Sequence, residues 1–175
     1  RIYPTNDQQQ RIDQWMGTCR FIYNVALETK IYAWECARIN LSAFDLSKQL
    51  KELKSYDWIK DVNSQCLVAV LFNVESAFKG FFRGNGYPKF KKKSNNGSFR
   101  CQQYTQLNFE KRLLSIIKIK NIPIKISRKF EGKIKTVTIS RTTTGKYFAS
   151  ILVDNGIELP KPKQIIPKET IGLDV

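Results

Sequence analysis

The apolar residues of this chain change their period once, at "RGNGYPKFKKKSNNG" (residues 83–97), and that change limits the folds open to it. Before it they recur at helical spacing; after it they alternate or cluster in short β-branched and aromatic runs. Ile12, Trp15, Met16, Cys19, Ile22, Tyr23, Ala26, Ala33 and Ala37 mark one long helix. Its start is set by Pro4 and by Thr5 or Asn6 as N-cap, with Gln8 or Gln9 placed for a capping box. Ser42 can cap a shorter helix with Leu46, Leu50 and Leu53 on one stripe. "SYDWIKD" reads as a connector. A third helix over residues 62–82 is apolar around most of its circumference, as expected of a helix lying between partners. The three tryptophans, Trp15, Trp34 and Trp58, are expected in the core.

The glycines, proline and lysines of residues 83–96 predict a loop. Beyond it "SFRCQQYT", "RLLSIIKIKNIPIKIS", "KIKTVTISR" and "KYFASILVD" read as strands, the last two paired as a hairpin that turns at Gly145. Tyr147, Ala149, Ile151 and Val153 share one face of the final strand. Strands of this length joined by tight turns suggest a small barrel or a strongly curled sheet. "RIY" at the start resembles a strand cut short, and the simplest packing joins it to the later strands. The expectation is therefore an α+β chain: a discontinuous β-barrel from residues 1–5 and 97–158, interrupted by a helical bundle over 6–82. Residues 159–169, with three prolines in "GIELPKPKQIIPKE" around them, read as an extended linker. In "TIGLDV", residues 170–175, Ile171, Leu173 and Val175 fall on one face and Gly172 and Asp174 on the other, like the opening strand of a further domain. With Arg rather than Met first, the chain is expected to be a piece of a longer protein.

Charge separates the segments further. Residues 1–78 carry nine basic and nine acidic groups, 79–133 carry fifteen and two, and 134–175 carry six and four. Thirteen of the fifteen excess positive charges thus sit in about a third of the chain, interleaved with aromatics. That pattern points to a polyanion, nucleic acid first and an anionic membrane surface second. No basic amphipathic helix supports the membrane reading, and no apolar run reaches the ~20 residues of a membrane span. Cys19, Cys36, Cys66 and Cys101 are far apart and the chain has no histidine, which argues against structural zinc. They read as small buried hydrophobes in a reducing cytoplasm. In the basic segment, Arg83, Lys89, Lys91, Lys92 and Lys93 are the best phosphate binders, and Arg100 follows on the first strand. Tyr87 and Phe90 can stack on bases or anchor the loop. Arg20 and Asn24, one helical turn apart, are either hydrogen bonders between lobes or phosphate contacts.

Several stretches together resemble a known family. "YPTNDQQQRIDQWMGTCRFIYN" resembles the amino-terminal signature of the TnpB (OrfB) proteins of insertion sequences, relatives of the type V CRISPR effectors. The shared features are Tyr-Pro, a following Gln, and Gly17, Arg20, Phe21, Tyr23 and Asn24. "AFKGFFRGNGYPKFKKKSNNGSFR" and "IPIKI…GKIKTVTISRTTTGKYFAS" are similar to two later segments of that family. "GLDV" is similar to the start of its RuvC-like nuclease, which has an RNase H fold. The four matches occur in order over nearly the whole chain.

The resemblance implies RNA-guided DNA cleavage. A guide RNA encoded at the element's end pairs with double-stranded target DNA beside a short motif read by the protein, and a Mg²⁺-dependent RuvC site cuts. The split barrel corresponds to the wedge domain and the helical insertion to the recognition lobe. By the resemblance, Asp174 is the first catalytic carboxylate and a Mg²⁺ ligand. The other acids would lie past Val175, so these 175 residues are expected not to cut alone. Lys111, Arg112, Lys118, Lys120, Lys125, Arg128 and Lys129 line the barrel face on which guide RNA would rest. The motif readers would be Ser64, Gln65 and Val68 on the third helix, Phe44 and Ser47 on the second, and Tyr104 or Thr105 after the insertion. Val68 stands where a glutamine is familiar, so the motif read can differ. Two rival readings are a nuclease-inactive RNA-guided repressor or transposition accessory protein, and a helix-turn-helix DNA-binding domain.

Overall fold

A computed structural model describes residues 1–93 and 96–158. The amino-terminal part is helical: α1 (Asn6–Ala37), α2 (Ala43–Leu53), a single turn α3 (Asp57–Lys60) and α4 (Ser64–Phe81). Thr5 caps α1 and forms a full capping box with Gln8, which satisfies two amides that helix geometry otherwise leaves unpaired. The helix then runs unbroken for 32 residues and stops where Arg38 turns left-handed at φ 56°. Ser42 and Asp45 make the same box at the start of α2. Asn63 caps α4 by accepting the Gln65 amide. The connector "SYDWIKD" folds into α3 because Ile59 is drawn fully into the core.

The later strands form two antiparallel sheets of three strands each. One has the order β1 (Gly97–Cys101), β5 (Lys133–Arg141), β6 (Tyr147–Asp154); the other is the meander β2 (Gln106–Asn108), β3 (Leu113–Ile116), β4 (Ile119–Pro123). Neither sheet closes into a barrel, which corrects the expected fold. Ile2 links them at single bridges, to Tyr147 on one side and Ile124 on the other. Its amide donates to the Tyr147 carbonyl at 3.0 Å, and the Tyr3 amide donates to the Pro123 carbonyl at 2.8 Å. With β2 only three residues long and the link confined to one residue, too few ladder bonds exist to close the circuit.

The stretch "RLLSIIKIKNIPIKIS" reads as one strand but folds as the β3–β4 hairpin. No glycine marks its turn; Lys118 takes the left-handed conformation itself, at φ 62°. The turn is held by α1: the Arg11 guanidinium donates to the Lys118 carbonyl at 3.0 Å, and the Gln8 amide group to the Lys120 carbonyl at 2.9 Å. A tertiary clamp replaces the usual turn residue, so the turn has no local signature.

One core runs through both halves. Trp15 is fully buried, meets Phe99 of β1 at 5.4 Å between ring centroids, and donates its indole N–H to Asp61. Trp34 and Trp58 are instead about half exposed, Trp34 beside Arg38 and Trp58 edge-on to Phe21. They occupy the outer face of the bundle, where an amphipathic ring can keep one edge wet. Cys19, Cys66 and Cys101 are buried as expected, but Cys36, in the last turn of α1, is exposed. Burial pushes the Cys19 thiol well above its usual range, so it stays protonated. The one buried lysine, Lys30, donates to the Asn40 side chain and the Leu41 carbonyl, tying the end of α1 to the loop after it. Burial lowers its pKa, while Glu75 and Asp45 act in the opposite direction.

Candidate nucleic-acid interface

The basic loop leaves α4 through Phe82 and Arg83 and crosses back to α1. Asn24 of α1 catches it. Its Nδ2 donates to the Lys91 carbonyl at 3.0 Å, and its Oδ1 accepts from the Lys91 amide at 2.8 Å. The Lys91 ammonium lies 4.1 Å from the centre of the Tyr23 ring, and partial burial there lowers its pKa. Asn24 is thus a hydrogen bonder between segments, one of the two roles read for it. Lys89, Lys92 and Lys93 remain exposed, as does Arg83. Tyr87 is half covered, edge-on to Phe78 and Phe81, and anchors the loop; Phe90 is 52% exposed.

Just past the loop, Gly97 opens β1 against α1; a Cβ there would sit 3.2 Å from the Met16 sulfur. This close approach sets β1 along the helices, with Phe99 and Cys101 facing them and Ser98 and Arg100 on the other side. The Cys101 sulfur lies 3.3 Å from that of Cys66 on α4. Register then places Arg100 opposite Thr138, and Ser98 opposite Ser140, on β5. A cleft of about 710 Å³ follows, lined by Arg20 and Asn73 from the helices, Lys91 and Lys92 from the loop, and Arg100 and Arg141 from the sheet.

Arg141 also joins the two halves. Its guanidinium donates to Asp13 of α1 at 2.8 Å, and the Tyr147 hydroxyl donates to the other Asp13 oxygen at 3.0 Å. Burial, then the bond to Asp13, pushes the Tyr147 phenol up to about 12. Arg141, Thr138, Ser140 and Asn73 were not singled out from the sequence. The alternation in "TVTIS" puts Thr138 and Ser140 on one strand face, but only the strand register sets them beside Arg100.

The remaining cations are distributed differently. Lys118 is committed to the helical lobe: its ammonium donates to the Asp61 carbonyl at 2.6 Å and lies 4.0 Å from the Asp61 carboxylate. It caps the end of α3 rather than standing free. Lys111, Arg112, Lys120, Lys125, Arg128 and Lys129 are all exposed on the second sheet and the segment after it. Lys125 and Arg128 flank a groove between the two sheets with Arg1, away from the first cleft.

The expected motif readers gather around the start of α4. Ser64 accepts from Lys54 at the end of α2, and Phe44 is 69% exposed, edge-on to Phe72 of α4 at 5.5 Å. Ser47 spends its hydroxyl on the Phe44 carbonyl, 2.7 Å away. Gln65 and Val68 are half-buried. The contact between Cys66 and Cys101 brings β1 to the same place, three residues before Tyr104. Tyr104 is 73% exposed with φ 55°, and the buried Thr105 hydroxyl has no hydrogen-bond partner. Asp174 and residues 159–175 as a whole lie outside the described residues.

No helix among the described residues is long and apolar enough to cross a membrane. Residues 1–38 match the family model described as the helix-turn-helix domain of OrfB proteins of the IS605 type. Here those residues form a short extended segment and the single helix α1, without an internal turn. The chain is 30% identical over 164 residues to "Putative RNA-guided DNA endonuclease InsQ" of Escherichia coli (strain K12), covering 91% of this chain and 40% of that protein. It is 32% identical over 166 residues to a Streptomyces pristinaespiralis protein named "Putative RNA-guided DNA endonuclease", covering 90% and 41%. "Virulence protein VsdF" of Salmonella dublin is 28% identical over 105 residues, which is 53% of this chain and 88% of that protein. The chain spans about two fifths of the length of the first two relatives. Taken with the amino-terminal match, the similarity along nine tenths of its length shows that this chain belongs to the TnpB/OrfB family of insertion-sequence proteins.

Proposed function

We propose that this chain is the nucleic-acid-binding part of an RNA-guided DNA endonuclease. It holds a guide RNA from the element's end and reads a short motif in double-stranded target DNA. The observation that carries this reading is the meeting of loop, helix and strand cations along one cleft, in a chain similar to two relatives named as RNA-guided DNA endonucleases. Phosphate contacts from Arg and Lys fix the register of a nucleic acid without reading its sequence. That suits a protein that leaves sequence recognition to base pairing in the guide.

In this reading residues 6–82 act as the recognition lobe. Residues 1–5 and 97–158, the two sheets linked through Ile2, act as the split wedge unit. The loop 83–96 presents Arg83, Lys89, Lys92 and Lys93 to RNA, and Arg100 joins them from β1. Ser64, Gln65 and Val68, with Phe44, Ser47, Tyr104 and Thr105 around them, form the motif-reading face. Cleavage would fall to a RuvC-type site in which Asp174 and further carboxylates hold Mg²⁺, which supplies Lewis-acid activation when bound. The unbroken course of α1 disfavours the rival helix-turn-helix reading, which needs two helices across a turn.

The test is a gel shift of the purified chain with structured RNA from the element's end and with duplex DNA of equal length. The reading predicts tighter binding to the RNA at every salt concentration. Tight duplex binding without RNA would refute it and favour a simple DNA-binding domain.

A further inference from the structure

We propose that the cleft between α1, α4 and the β1–β5 face is a binding site for a single strand of RNA, held through its phosphates and ribose hydroxyls. The proposal rests on the nucleic-acid reading above and assigns one part of it to this place. Five cations line the cleft, Arg20, Lys91, Lys92, Arg100 and Arg141, and no acidic residue does. Arg141 is partly neutralised by Asp13, and Lys91 is drawn over Tyr23. Arg20, Lys92 and Arg100 make no side-chain hydrogen bond or ion pair among the described residues, which leaves their charge for a ligand.

Two further observations point to an occupant. The Nε atoms of Arg100 and Arg141 are buried without a hydrogen-bond partner. A buried donor left unmet is destabilising by about 1–3 kcal/mol, so an oxygen acceptor entering the cleft would relieve it after a small side-chain shift. Beside the cations stand the neutral groups of Asn73, Ser98, Thr138 and Ser140, both donors and acceptors. Such groups pair with the ribose 2′-hydroxyl, the feature by which a protein separates RNA from DNA.

Size decides between a strand and a duplex. The volume falls within the range of about 300–1,000 Å³ typical of small-ligand pockets. A duplex, whose major groove alone is about 12 Å wide, does not fit. The walls come from segments far apart in sequence, so the cleft is built only when the loop, the helices and the sheet are all in place.

Fluorescence anisotropy of labelled oligouridylate, oligothymidylate and a blunt duplex on the whole chain tests this. Arg20→Glu and Lys92→Glu should each weaken oligouridylate binding about tenfold and lower the salt slope by about 0.7. Lys51→Glu, an exposed α2 cation outside the cleft, should change it less than about twofold. Circular dichroism of each variant separates lost binding from lost fold. Equal loss in the Lys51 variant, or oligothymidylate or duplex binding as tightly as oligouridylate, overturns the cleft while the function proposed above survives. Failure of the chain to bind any RNA, structured element RNA included, overturns both.

Discussion

Removing the side chain that holds the basic loop should loosen the loop without weakening the helix that carries it. Asn24→Ala deletes both hydrogen bonds to the Lys91 backbone, at 3.0 and 2.8 Å. Each is worth about 0.5–1.5 kcal/mol net, and because water can replace partners at this exposed site the low end applies, about 1 kcal/mol for the pair. The contact of Lys91 with Tyr23 survives and adds about 0.5–1 kcal/mol, so the loop opens more often but does not detach. At 1.4 kcal/mol per factor of ten, opening should become about fivefold more frequent. Alanine is also a better helix former than asparagine by up to ~0.7 kcal/mol, so α1 gains what the loop loses. Hydrogen exchange read at the Lys91 amide should therefore quicken about fivefold while the urea midpoint stays within error. Unchanged exchange at Lys91, or a fall in global stability with no local change, would refute the clamp.

Three other outcomes follow from the packing. A Cβ at Gly132, where φ is +118°, would lie 2.2 Å from the Asp154 carbonyl oxygen, so Gly132→Ala must move backbone. Left-handed strain of about 1–2 kcal/mol and overpacking of about 1–3 predict a melting temperature lower by roughly 5–15 °C; a shift under about 2 °C contradicts this geometry. In the native protein Cys36 should react promptly with a thiol reagent, while Cys19, Cys66 and Cys101 react only on unfolding. Two or more fast thiols would show that the junction of helices and β1 is open. The Tyr147 phenol is pushed up to about 12 in the fold from its usual 10. Its proton therefore stabilises the native state fully below pH ~10, and that stabilisation is lost as pH rises from ~10 through ~12. Urea melts at pH 8 to 11 should show the native chain losing stability relative to Tyr147→Phe above pH ~10, and parallel curves would contradict the Asp13 contact.

What the sequence discloses depends on how local the physics is. Capping by Thr5 with Gln8, and the stripe of Leu46 and Leu50 behind Ser42, are settled within one or two helical turns and can be read directly. The concentration of cations in residues 79–133 needs only counting. The β3–β4 turn could not be read, because Lys118 occupies a left-handed position that Arg11, over a hundred residues earlier, holds in place. Lys118 also shows why a lysine in a basic run need not face a ligand: Asp61 and the end of α3 claim its ammonium. The site was half legible. Lys91, Lys92 and Arg100 stand out by charge, whereas Arg141, Thr138 and Ser140 join them only through strand register and the pairing of Arg141 with Asp13.

The central claim is that this cationic surface grips RNA by its phosphates, and the salt dependence of binding tests it most directly. The observed association constant for structured RNA should be followed from about 50 to 200 mM salt and plotted on logarithmic axes. Engagement of four or more phosphates predicts a slope of about −3 or steeper for a single strand. A slope flatter than about −1 would mean that at most one phosphate is held, and the cations gathered around the loop and β1 would have no part in binding.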